Sequence, residues 1–76
     1  MNNKEMMGLN EKSKYILANI FESFKVKEIG DLIIITDNHY GDRDPWFWVR
    51  KSAYKNPWDL VNEYLIDTAT DAGYEV

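Results

Sequence analysis

Four consecutive apolar residues, Leu32-Ile33-Ile34-Ile35, stand near the middle of a 76-residue chain, three of them β-branched. β-Branched side chains fit a pleated surface, and an unbroken apolar run places them on both faces of the strand. The run therefore predicts a central strand covered on each side rather than an edge, and the rest of the chain must supply the cover. Gly30-Asp31 separates it from Lys25–Ile29, where Phe24, Val26 and Glu28 alternate with Lys25, Lys27 and Ile29. A two-residue Gly-X step between two strand-like runs predicts a hairpin.

The flanks carry the helical period. Ile16, Leu17, Ile20, Phe21 and Phe24 recur at three- and four-residue spacing, while Lys12, Lys14, Asn19 and Glu22 fall elsewhere. That stripe predicts an amphipathic helix, with Asn10 as its N-cap and Glu11 in the first turn at the positive end of the dipole. After a polar loop over Asp37–Pro45, Trp46–Lys51 reads as a third strand. Asn56-Pro57-Trp58-Asp59 then places an N-cap residue, a proline at the first helical position and an acid in the first turn. The second helix is expected to run to about Ala72, where Gly73 supplies a left-handed residue. The expected fold is α+β: helix, three-stranded antiparallel meander, helix (αβββα), with both helices packed on the sheet.

At this length one domain over residues 1–76 is the sensible count, with residues 1–8 as a polar leader. A domain so short buries only about 60% of its unfolded surface, which leaves little room for a water-excluding catalytic pocket. Three Trp, five Tyr and three Phe make a dense core attainable without covalent staples. The chain has no cysteine, which excludes disulfides and thiolate metal sites and favours a cytoplasmic setting. Its longest apolar run is far below the roughly 20 residues of a membrane span. The leader has no apolar signal-peptide core.

The same order of elements occurs in double-stranded RNA-binding domains. Tracking a phosphate backbone demands clustered Lys and Arg, whereas the net charge here is -4 and the stretch after Lys55 contains no base. Direct nucleic-acid binding is therefore not expected.

The distribution of acids is more informative than their number. Asp59, Glu63, Asp67, Asp71 and Glu75 follow one another at four-residue spacing from Asn56 to Val76, with no Lys, Arg or His among them. On a helix, successive members advance about 6 Å and rotate by only about 40°, so they form one ridge. Trp58, Val61, Leu65, Thr68, Ala69 and Ala72 fall on the opposite face. Any surface helix is polar outside, and Asp59 has a local role at the helix start. Yet like charges at this spacing each cost about 0.2 to 0.5 kcal/mol, and ordinary faces interleave lysine. The ridge is thus expected to meet a basic partner, with carboxylates spaced like the phosphates of one nucleic-acid strand.

Asp37, Asp42 and Asp44 in the loop extend the same negative surface. Their spacing lacks the pattern and closing glutamate of a calcium loop, and Arg43 between two acids reads as a local ion pair, so no metal or other cofactor is expected. His39 reads as a solvated turn residue, and Ser13, Ser23 and Ser52 lack a second histidine for a triad. The chain is not expected to be an enzyme.

The aromatic block is the other candidate. On a strand Trp46 and Trp48 share one face and Phe47 and Val49 the other. Cover by the helices or by sheet twist is the simpler expectation, but an exposed Trp46 or Trp48 would anchor an interface rimmed by Arg50 and Lys51.

Together these features describe a cytoplasmic binding protein that blocks a protein with a basic nucleic-acid-binding groove by imitating nucleic-acid charge. The profile resembles that of anti-restriction and anti-CRISPR proteins of phages and mobile elements. The alternative is an adaptor module that binds a partner, or forms a homodimer, through Trp46, Trp48 and Tyr54.

Overall fold

The computed structural model describes residues 8–37 and 45–76. Its elements are α1 (Glu11–Asn19), β1 (Phe24–Ile29), β2 (Leu32–Asp37), β3 (Phe47–Arg50), a 3-10 turn (Lys51–Ala53) and α2 (Pro57–Asp71). The expected αβββα order holds, and the three strands form one antiparallel sheet in the order β1-β2-β3.

Register follows from the hairpin. Ile29 pairs with Leu32, so Gly30 and Asp31 form a two-residue turn. Gly30 has φ +58 whereas Asp31 has no positive φ, the combination used by a II′ turn rather than I′. Space around Gly30 is open, so any penalty on substitution comes from the backbone alone. Gly30→Ala is expected to cost about 1 kcal/mol, hence about 4 to 8 °C in melting temperature, and Gly30→Asn less. Equal midpoints for both variants and the parent would refute this.

Pairing continues as Glu28↔Ile33↔Val49 and Val26↔Ile35↔Phe47, which places these residues on one face. That face carries the core: Ile33, Ile35 and Val49 join Leu9, Ile16, Val61, Leu65 and Ala69. Both helices therefore lie on the same side of the sheet. β2 is central as expected, but its two faces are covered differently. Ile33 and Ile35 lie under the helices, whereas Ile34 is buried on the other face, where Lys27 and Trp48 flank it in register.

α1 is shorter than the apolar stripe that announced it. It ends at Asn19, the Ile20 and Phe21 N–H groups both donate to Ile16 O, and Phe24 already belongs to β1. Asn10 Oδ1 accepts from Ser13 N at 2.8 Å, the expected N-cap. At α2 the start falls where expected, with Pro57 in the first turn, but the Asn56 side chain makes no capping bond. Gly73, φ +96, ends the helix as expected.

β3 is shorter at both ends than the expected Trp46–Lys51. Trp46 N donates to Ile35 O at 2.8 Å before the ladder begins, and Lys51 N donates to Asp31 O at 2.6 Å as the chain turns. Asp31 holds that turn further, accepting from Ser52 N at 3.1 Å and Ser52 Oγ at 2.5 Å. Lys51 Nζ pairs with Glu28 Oε2 at 2.8 Å, so the expected rim cation is tied to β1.

Of the expected leader 1–8, only Gly8 lies among the described residues. Its carbonyl accepts from Asn62 Nδ2 at 3.0 Å, and a Cβ there would overlap Trp58 Cγ and Cδ2.

Candidate functional site

α2 sets the geometry of the acidic face. Val61, Asn62, Leu65 and Ala69 are its buried residues, and Asp59, Glu63, Asp67 and Asp71 are exposed on the side away from the sheet. Over 15 residues the helix extends about 22 Å, so the four carboxylates span most of its length. None of the four is paired with a base among the described residues. Beside them, Asn10, Asp59, Asn62, Glu63, Ile66 and Asp67 line a shallow groove of about 290 Å³ between α2 and the start of α1.

Three expected members of the acidic surface sit differently. Glu75 is exposed but lies beyond the helix, because Gly73 breaks it after Asp71 while the four-residue spacing continues only in the sequence. Asp37 is not a loop residue: it pairs with Phe24 at the end of β2 and is only 8% exposed, so it is withdrawn from the surface. The ladder extends that far because Phe24 packs against the core and holds its partner in line. Asp42 and Asp44 lie outside the described residues, as do His39 and Arg43.

The two candidate tryptophans part company. Trp48 pairs with Ile34 and stands on the sheet face away from the helices, 57% exposed. Trp46 precedes the strand, and its ring stacks on Phe24 at 6.2 Å, which in turn stacks on Phe21 at 4.8 Å. Phe24 belongs to the core side, so the two indoles do not share one face. The reason is local: with pairing starting at Phe47, the alternation that would align Trp46 with Trp48 does not reach it. Tyr54 is exposed after the 3-10 turn.

Sequence reasoning missed Asn62. Its Oδ1 accepts from Asn10 N at 3.0 Å and Ser13 Oγ at 2.7 Å, and its Nδ2 donates to Gly8 O at 3.0 Å. One amide thereby ties α2 to the start of α1 and to the segment before it. The available signal was a polar residue between Val61 and Leu65 on the core-facing stripe, opposite a serine three residues after an N-cap.

Among the described residues no group of three His, Cys, Asp or Glu could hold a metal ion, and no helix is long and apolar enough to cross a membrane. Comparison of the chain with protein-family models, curated proteins and solved structures finds no match.

Proposed function

We propose that this protein acts in the cytoplasm by binding, as a small inhibitor that occupies the basic nucleic-acid-binding groove of a partner protein. The observation that carries the reading is the exposed row Asp59, Glu63, Asp67 and Asp71, unpaired among the described residues along one side of α2. A row of like charges at four-residue spacing works against its own helix, so a use for it outside the fold is the simplest reason for its retention. Carboxylates about 6 Å apart present charge at intervals comparable with phosphates, and a matching positive groove would accelerate association. This is the strategy expected of a phage or mobile-element product directed against a nucleic-acid-binding defence enzyme.

The test is charge reversal of Glu63, Asp67 and Asp71 to lysine. Binding to the partner captured by the parent protein is expected to vanish, and DNA or RNA is expected to displace the parent from that partner. The fold is expected to survive with an equal or slightly higher melting temperature. The repulsion between positions 59 and 63 becomes an attraction worth about 0.2 to 0.5 kcal/mol, the pairs 63–67 and 67–71 stay like-charged, and lysine at position 71 suits the negative end of the helix dipole. Retained capture after reversal, or a captured partner that does not bind nucleic acid, would refute the reading.

The exposure of Trp48 favours a second reading, an adaptor that engages its partner through the sheet. Such an adaptor would tolerate both the reversal and added salt.

A further inference from the structure

The side of the sheet away from the helices carries a different chemistry from α2. Register places Lys25, Lys27, Ile29, Leu32, Ile34, Thr36, Trp48 and Arg50 on it, so every charged residue there is basic. Lys25 and Arg50 are exposed and have no carboxylate partner among the described residues. Beside Arg50 the surface is apolar: Ile29 is 47% exposed, and Ile29, Leu32, Ile34, Pro45, Trp48 and Arg50 line a shallow depression of about 430 Å³. That volume is in the range of small-ligand sites, and among the described residues Arg50 is the one charged side chain of the lining.

We propose that this face docks a polypeptide segment in which a bulky apolar side chain sits beside carboxylates. The apolar group fills the depression against Trp48 and Ile34, and the carboxylates meet Arg50 and Lys25. Charge complementarity selects the occupant. A guanidinium offers only donors, arranged as a fork that fits a carboxylate. A nucleobase in the same depression would bring both donors and acceptors on its edge, and its donors would face aliphatic and indole carbon. A second copy of the chain fits poorly. Sheet against sheet would oppose cations to cations, and the apolar residues near the acidic row, Leu60 and Ile66, are already packed on their own core.

The probe is a blocked peptide with one leucine flanked on each side by two glutamates, titrated into the isotopically labelled protein and followed by NMR. Chemical shifts are expected to move at Ile29, Ile34, Trp48 and Arg50 and to stay still along Asp59–Asp71. Affinity is expected to fall at least about tenfold when the leucine is replaced by glycine, and likewise in Trp48→Ser and Arg50→Glu. Should Trp48→Ser fail to fold, Arg50→Glu changes only an exposed charge and keeps the comparison. Absence of shifts, shifts confined to α2, or undiminished binding by the glycine peptide would overturn the proposal. So would tighter binding of a thymidine oligonucleotide to the same residues, or concentration-dependent self-association in sedimentation velocity that Arg50→Glu abolishes. The Glu63, Asp67 and Asp71 reversal is expected to leave this binding intact, so its failure and that of the inhibitor reading are separable.

Discussion

Replacing Asn62 by alanine is expected to cost about 3 kcal/mol of folding free energy, because three groups lose their partner at once. A stranded buried polar group costs about 1 to 3 kcal/mol. Ser13 is fully buried, whereas the Asn10 N–H and Gly8 carbonyl lie nearer water and recover part of their loss. For a domain of this size the melting temperature should fall by roughly 12 to 24 °C. Ser13→Ala should cost only about 1 kcal/mol, since Asn62 Oδ1 keeps the Asn10 N–H. Combining it with Asn62→Ala should cost less than the sum. Asn62→Asp keeps the acceptor and sets a second oxygen against the Gly8 carbonyl, so it isolates the donor arm. Thermal unfolding by circular dichroism decides: a shift of only a few degrees for Asn62→Ala would mean that the amide is not the link between the helices.

One turn further along α2, Leu65→Ala should be the most damaging single truncation in the core, at about 2 to 5 kcal/mol. Leu65 is fully buried among residues from both helices and the sheet, so the surroundings cannot collapse inward from one side. Total stability for a domain of this length is about 4 to 11 kcal/mol, so the variant should lie close to its unfolding transition at physiological temperature. Leu65→Met, which nearly conserves volume, should cost under about 1.5 kcal/mol. The comparison is made by urea denaturation, where a truncated protein with an unchanged midpoint would show that this position is not central to the core.

These two neighbours on one helix also mark the boundary of what sequence makes legible. Leu65 announced itself through the helical period, and the ends of α2 were readable because Pro57 and Gly73 each impose a backbone conformation. Gly30-Asp31 was readable for the same reason. Asn62 was not, since a polar residue in a helix ordinarily signals solvent and only a partner 49 residues away, Ser13, reverses that meaning. Asp37 was obscured likewise: its acidic side chain suggested a loop, but pairing with Phe24 draws it into β2. The run Leu32–Ile35 correctly marked a central strand, yet periodicity could not tell that both helices would choose the same face. That choice left Trp48 and Ile29 outside. The acidic row was legible up to the helix end, where regular spacing in the chain stops implying regular spacing in space and Glu75 drops out.

Among the described residues, the cations on the outer sheet face and the carboxylates on α2 lie on opposite sides, an electric dipole that runs across the layers. In the field of a positively charged groove such a body is turned before contact, so the approach itself selects which helix arrives first. Orientation then leaves the tryptophan-bearing side pointing outward, available to a second, chemically opposite ligand. With both proposed partners, a protein of 76 residues would serve as a two-ended coupler, in which seating one end holds the other at raised local concentration near whatever surrounds the first partner.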